Sequence, residues 1–264
     1  MTESKIHDDP DLNFALNLCQ EAGEILKYYF YNGVKVSYKT DNSPVTIADK
    51  ECEAFICQKI LDKYPDDFIL AEENYNSYTA NLPASFRRWI IDPLDGTYNF
   101  MRQIPIFSIL LALEIDHRID LGIIYNPVLN EIYYAKSDLG AYKNDEAIKV
   151  SSIDKLDCAM FNFGGVNRIL EHNLGQNFNQ LVKKTYRQRG FGDYFNFALV
   201  FEGKSELALE VGLQPWDLAP MSILAKESGG KFTALSGSDS VFEGNCLVSN
   251  NLLHNEALKI LSEY

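Results

Sequence analysis

The sequence predicts an α/β protein, on three observations. Amphipathic helical patterns open and close the 264-residue chain. Between Ile106 and Ala135 three apolar strand patterns follow one another across short turns, the mark of an antiparallel sheet. After residue 151 strands and helices alternate. Hydrophobic residues make up 46% of the chain, ordinary for a soluble globular protein, and the length suits one large domain or two small ones.

Taken in order, residues 1–10 are polar and expected to fray. Leu12, Ala15, Leu16, Cys19, Ala22, Leu26 and Tyr29 then recur at three and four, one face of a helix that Gly33 stops. Val34 and Val36 alternate with polar neighbours as in a half-buried strand. Lys39 to Pro44 reads as a turn. Thr46 and Asp49 fit the cap of a second helix, with Cys52, Phe55, Ile56 and Ile60 on its buried face. Phe68–Ala71 is a short strand ending on Glu72 and Glu73. Adjacent strand residues face opposite ways, so only one of these carboxylates can enter a given site. Residues 74–88 lack periodicity and read as a loop.

The three consecutive strands are Ile106–Ile115, Ile119–Tyr125 and Glu131–Ala135, with His117 and Arg118 in the first turn and Asn126-Pro127 breaking the second strand. Gly140 to Asn144 reads as a further turn. Next come a strand at Met160–Phe163, a weaker helix over Leu170–Val182, and a helix from about Phe195 to Glu202. A strand at Leu207–Val211 precedes a helix from Trp216 to Ser228, stopped by Gly229-Gly230. Phe232 and Cys246–Ser249 are late strands, and Leu252–Leu261 is a closing helix.

The formal net charge is −13, with no basic run, which argues against a nucleic-acid partner. Five scattered cysteines, none in a Cys-x-x-Cys pair, suit reduced thiols in a cytoplasmic protein. The four histidines stand apart from one another in sequence, which disfavours zinc. No secretory apolar segment and no run long enough to span a bilayer is expected.

The stretch from Trp89 to Phe100 carries the chemistry. An apolar strand, Trp89-Ile90-Ile91, breaks at Pro93 and delivers Asp92 and Asp95 around a tight turn, followed by Gly96 and Thr97. Two carboxylates about 4 Å apart repel by roughly 4 kcal/mol at an effective dielectric near 20. A strand end tolerates that only with a proton or a cation present. An all-oxygen donor set suits a hard ion such as Mg²⁺. Gly96 lets the backbone approach a ligand, and Thr97 can open a helix whose N–H groups suit an anion. An Asp-Gly pair alone is equally an acidic surface turn.

Asp92-Pro93-Leu94-Asp95-Gly96-Thr97 resembles the signature of the inositol monophosphatase family of Mg²⁺-dependent, lithium-sensitive phosphatases. Three further stretches match in the family's order: Ser43-Pro44-Val45-Thr46-Ile47-Ala48-Asp49, Ala71-Glu72-Glu73 (the family usually has Gly at Ala71) and Trp216-Asp217-Leu218-Ala219. The resemblance implies a layered αβαβα sandwich. It would be a single domain over 1–264, with an α+β lobe over roughly 1–150, an α/β lobe over 151–264 and the site between them. It implies two or three Mg²⁺ ions held by Glu72, Asp92, the Leu94 carbonyl, Asp95 and Asp217, with Glu73 behind them. Thr97 and Asp49 would orient the attacking water, so that Thr97, Asp49 and Glu72 form the catalytic set. The N–H groups of Gly96 and Thr97 would hold the phosphate, and a homodimer is expected. Asp49 and Asp217 serve equally well as helix-start residues, and Lys39 either reaches the site or stays in its exposed turn.

Asp95 and Asp193 are candidate contacts to the alcohol part of a small phosphomonoester, and the resemblance implies the same role for Glu210, which falls where the family places a carboxylate. Arg189-Gly190-Phe191-Gly192-Asp193-Tyr194, followed by Leu199-Val200-Phe201-Glu202-Gly203, is similar to the histidinol-phosphate phosphatase branch. Two carboxylates suit a cationic amino alcohol. Tyr98-Asn99-Phe100 lacks the Lys that often follows the motif in that branch, which keeps inositol 1-phosphate second and a nucleotide 3′-phosphate third. Asp193 also fits an N-cap. A non-catalytic binding protein on the same fold and a Ca²⁺-binding structural domain are the readings from other classes.

Overall fold

The computed structural model describes residues 8–34, 36–38, 44–73 and 82–262. Lys39, Ser43 and most of the loop expected over 74–88 lie outside them. Helix α1 (Pro10–Asn32) begins two residues earlier than its apolar stripe. Asp9 accepts a hydrogen bond from the Leu12 amide at 2.8 Å, and Pro10 occupies the first turn, where its missing N–H costs nothing. The expected fraying therefore stops short of Asp9. Phe30, not Tyr29, completes the buried stripe. Helix α2 (Ile47–Lys63) starts on a reciprocal cap between Thr46 and Asp49.

Strands β1 (Val36–Tyr38) and β2 (Pro44–Thr46) form a small antiparallel pair. The main sheet has seven strands in sequence order: β3 (Phe68–Ala71), β4 (Arg87–Asp95), β5 (Ser108–Ile115), β6 (Arg118–Asn126), β7 (Glu131–Lys136), β8 (Gly140–Lys143) and β9 (Glu146–Ala147). Only the β3–β4 pairing is parallel. The expected turn at 140–144 is thus mostly strand. Gly140 and Asn144 flank Ala141 and Tyr142, whose side chains are buried, and turn residues at both ends hid a strand only four residues long.

The second sheet is ordered β11-β10-β12-β14-β13, from β10 (Met160–Phe163), β11 (Arg187–Arg189), β12 (Leu207–Val211), β13 (Lys231–Thr233) and β14 (Asn245–Ser249). Six further helices complete the chain: α3 (Thr97–Met101), α4 (Val166–Glu171), α5 (Gly175–Lys184), α6 (Asp193–Phe201), α7 (Pro215–Glu227) and α8 (His254–Ser262). The weak helical pattern over 170–182 is two helices, broken at Asn173 in a left-handed conformation, φ 60°.

Strand alternation sorts the apolar residues into three cores. Trp89, Ile91, Leu111 and Leu113 face α1 and α2, while Ile90, Leu110 and Ala112 face α6 and α7. Those two helices also pack on Ala208 and Val248 of the second sheet. The other face of that sheet, through Leu207, Leu209 and Leu247, packs on Leu181 of α5 and Ile260 of α8. The order is helix, sheet, helix, sheet, helix, the layered αβαβα sandwich expected. Complete burial of a Leu or Ile side chain contributes roughly 2 kcal/mol, so these cores, not helix propensity, fix the layers.

His254, 0% exposed, sits between Thr233 Oγ1 (2.9 Å) and Ser249 Oγ (2.8 Å). The Ser–His contact looks hydrolase-like but has no access to solvent. It ties α8 to the second sheet. Burial, and then Lys231, lower the imidazole to about 4. The unfolded chain takes up this proton near pH 6.5 and the folded chain does not, so stability is full above that value and falls as pH drops toward 4. Between pH 7 and pH 5 the loss from this group is about 2 kcal/mol. Urea midpoints at the two pH values should fall further for the wild type than for His254→Gln.

Candidate active site

Alternation places Ile90 on the inner face of β4, and Asp92, two residues on, points the same way. Asp95 is three residues beyond Asp92 and would point outward from a regular strand. It does not, because the β4–β5 pairing slips: Asp92 pairs with Leu110 and Asp95 with Ser108. One extra residue on β4 forms a bulge at Pro93-Leu94, where proline's missing N–H costs no ladder bond. Both carboxylates therefore turn toward the middle layer. Asp217 approaches from the first turn of α7, where Pro215 starts the helix and Asp217 Oδ2 accepts from the Gln214 amide at 2.7 Å.

Asp92, Asp95 and Asp217 offer carboxylate oxygens that all lie within 4.8 Å of one another, a set able to hold a metal ion. Glu72 is outside this tight trio but lines the same cavity, of about 760 Å³. Asp92 is 2% exposed. Its carboxyl is raised well above the usual range by burial, then by the charges of Glu72, Asp217 and Asp95. Asp95 is raised by burial, then by Asp193 and Asp217. Asp217 is pushed up to about 6 by burial, with Glu72 adding to it. Mutual repulsion of buried carboxylates is what a cation relieves. The all-oxygen donor set fits Mg²⁺ or Mn²⁺ and offers nothing to a thiophilic ion.

Glu73 is not among the residues that line this cavity; its amide donates to buried Glu53 of α2 at 2.6 Å. Asp49, 1% exposed, does two jobs at once. Its Oδ2 accepts from the Thr46 amide at 2.8 Å and the Thr46 hydroxyl at 2.5 Å. Its Oδ1 accepts from Thr97 Oγ1 at 3.3 Å, and Thr97 also reaches the Leu94 carbonyl at 3.1 Å. Burial pushes Asp49 up to about 6 against the opposing Thr46 hydrogen bonds. Gly96 precedes α3 at φ 82°, a left-handed conformation open to glycine. A Cβ there would sit 3.0 Å from the Ile106 carbonyl and 3.2 Å from Asp193 Oδ2.

Asp193 is not the N-cap of α6. Gly192 holds that position, and Asp193 is the first helical residue, at φ 52° with its side chain turned to the cavity. Asn99 Nδ2 donates to Asp193 Oδ2 at 2.7 Å, and the Tyr194 amide donates to Asp95 Oδ2 at 2.7 Å. Burial raises Asp193 to about 6. Glu210 follows Ala208 on the inner face of β12, 4% exposed. It accepts from Asn196 Nδ2, whose own carbonyl oxygen receives the Gly192 amide at 3.0 Å. Burial, then Asp193, push Glu210 up to about 8. Gly164 leaves room for it, since a Cβ there would fall 1.8 Å from Glu210 Oε2.

Every described candidate of the metal, catalytic and substrate sets thus lines one cavity or, like Asp49, touches a residue that does. Four participants escaped sequence reasoning: Asn99, Asn196, Gly164 and Arg168. Asn196 carried a signal, as the polar residue within the apolar run Phe195–Phe201. Arg168, on α4, is the one cation lining this cavity among the described residues, and its charge lowers Asp193, Glu210 and Asp217. No motif pointed to it.

Fold and site together define a layered α/β protein with clustered acids in one cavity, a class of site suited to hard cations. Residues 7–264 match the family model described as the inositol monophosphatase family. A histidinol-phosphatase of Chlorobaculum parvum is 35% identical over 243 residues, 92% of each chain. A fructose-1,6-bisphosphatase/inositol-1-monophosphatase of Thermotoga maritima is 33% identical over 255 residues, 96% of each. The solved IMPase of Thermotoga maritima superposes with a TM-score of 0.86, covering 97% of this chain and 98% of that one. The chain belongs to the inositol monophosphatase family. It is a phosphoric monoester hydrolase.

Proposed function

We propose that the chain is a Mg²⁺-dependent phosphomonoesterase that prefers a cationic amino-alcohol phosphate, histidinol phosphate first. The observation that carries this is the surplus of carboxylates. Beyond Glu72, Asp92, Asp95 and Asp217, the cavity also presents Asp193 and Glu210. Glu210, pushed up to about 8, is mostly protonated at neutral pH. An arriving ammonium or imidazolium restores its charge and gains a buried ion pair, which a neutral cyclitol cannot do. The Chlorobaculum relative's name supports the same reading.

Two or three Mg²⁺ ions would be held by Glu72, Asp92, Asp95, Asp217 and the Leu94 carbonyl. When bound, they supply Lewis-acid polarisation of the phosphate and a more acidic water. The chain's residues do the rest. Thr97 Oγ1, anchored to Asp49, orients the attacking water along the line to phosphorus. Asp49, near 6, would take the water's proton through Thr97: the hydroxyl passes its own proton to Asp49 Oδ1 as it accepts the water's. Glu72 completes this catalytic set from the end of β3. The amides of Gly96 and Thr97 hold phosphate oxygens, and Asp95, Asp193 and Glu210 orient the alcohol. We also infer a single domain, because α6 and α7 pack on both sheets, a homodimer, and a cytoplasmic location, since all five cysteines are free.

The second reading is inositol 1-phosphate, favoured by Arg168, which opposes a cationic head and suits hydroxyl-rich ligands. The test is kcat/KM with Mg²⁺ for histidinol phosphate, inositol 1-phosphate and adenosine 3′-phosphate. Histidinol phosphate should lead by at least about tenfold, 1.4 kcal/mol. Parity with, or preference for, inositol 1-phosphate would replace the substrate assignment.

A further inference from the structure

The entry to α6 is unusual. Gly192 and Asp193 both stand at positive φ, 73° and 52°, and a non-glycine residue keeps that conformation only where its surroundings hold it. Two asparagines do the holding. On α3, Asn99 Nδ2 donates to the Ile106 carbonyl at 2.9 Å and to Asp193 Oδ2 at 2.7 Å. At the end of β6, Asn126 Nδ2 donates to the Pro105 carbonyl at 2.9 Å and to the Tyr194 hydroxyl oxygen at 2.8 Å. Each side-chain amide thus places one N–H on the segment before β5 and the other on the first two residues of α6.

Asn126 and Tyr194 are both 0% exposed, so their contact is made away from water, where an unmet donor is costly. Asn126 is itself fixed, its Oδ1 accepting from the Val128 and Leu129 amides at 3.1 and 3.0 Å. From Tyr194 the path leads to the acidic trio. The Tyr194 amide donates to Asp95 Oδ2 at 2.7 Å, and Asp95 pairs across the main sheet with Ser108, just beyond Ile106. The bonds close a ring that runs from Asp95 through the start of β5, Pro105, Asn126 and Tyr194 back to Asp95.

We propose that Asn126 and Tyr194 are a positioning pair for Asp95: the phenol, anchored on Asn126, sets the α6 entry so that the Tyr194 amide aims the Asp95 carboxylate at a cation. This rests on the metal role proposed for Asp95 above. A donor behind a ligand carboxylate fixes its direction, and loss of such a partner weakens metal binding by roughly 10- to 100-fold. The other end of α6 carries a comparable tie with a different purpose. There the hydroxyl of buried Tyr133, on β7, donates to Glu202 Oε1 at 2.8 Å, at the helix's C-terminal cap.

The test is calorimetric titration of Mn²⁺ into the metal-free full-length protein, for wild type, Tyr194→Phe and Tyr133→Phe, with melting temperatures taken in chelator. Each substitution cuts one hydroxyl tie of α6 and keeps the ring. In Tyr194→Phe the Mn²⁺ concentration at half-saturation should rise by roughly tenfold. Tyr133→Phe should melt below wild type and keep the wild-type midpoint. An unshifted midpoint in Tyr194→Phe, or an equal shift in both variants, would overturn the positioning role and leave the phenol serving the fold alone. Wild type that binds no Mn²⁺ would instead remove the metal role of Asp95, and the pair's purpose with it.

Discussion

Asp92→Asn abolishes turnover of every phosphomonoester tested, by at least about 10³-fold, yet leaves the metal-free protein as stable as the wild type or more so. Both halves follow from one fact. Asp92 is buried among Glu72, Asp95 and Asp217, where its charge opposes folding and serves cation binding. A loss of 10³ corresponds to roughly 4 kcal/mol of transition-state stabilisation, within what a displaced cation costs. Removing one like charge relieves repulsion in the empty cluster, and the amide still accepts from the Leu94 amide, as Asp92 Oδ1 does at 2.9 Å. In chelator, the melting temperature of Asp92→Asn should equal or exceed that of wild type by a few degrees, at 2–4 °C per kcal/mol. With Mg²⁺ the order reverses, because ligand binding stabilises only the protein that can bind. Near-normal turnover would remove Asp92 from the metal set. A large fall in melting temperature in chelator would make its role structural.

Asp193→Asn separates the substrates. Asparagine tolerates the left-handed backbone that Asp193 adopts at φ 52°. Its side-chain oxygen can still accept from Asn99, which holds Asp193 at 2.7 Å. The substitution therefore removes charge with little change of shape, where alanine would also release Asn99. The expected result is a fall of at least about tenfold in kcat/KM for histidinol phosphate. The value for inositol 1-phosphate should stay within about threefold, a difference of about 0.7 kcal/mol or less. Equal losses on both would mean that Asp193 positions Asp95 and Asn99 and does not read the substrate.

The layers were legible because hydrophobic period is a local property. Met160–Phe163 and Leu207–Val211 have the bounds the sequence predicts. Phe68–Ala71 does too, and Glu72 follows it directly as expected. The acids were legible because short motifs carry them. What connects them was not. That Asp92 and Asp95 share a face depends on the pairing slip opposite Leu110 and Ser108, a relation between strands that no single stretch encodes, although Pro93 inside a strand hinted at it. Asn99 and Asn196 act by holding Asp193 and Glu210, and Gly164 by leaving Glu210 room, each from a different element of the chain. Arg168 sits on a six-residue helix with no pattern of its own. The β8 strand was lost to its flanking Gly140 and Asn144, which speak for a turn when read alone.

The central claim is that Glu72, Asp92, Asp95 and Asp217 jointly hold divalent cations in the cavity. The most direct measurement is an anomalous difference map from crystals grown with Mn²⁺, a spectroscopically visible substitute for Mg²⁺. The account predicts at least two peaks bounded by those four carboxylates. Protein that turns over substrate with Mn²⁺ but shows peaks only elsewhere, or none among these residues, would contradict it.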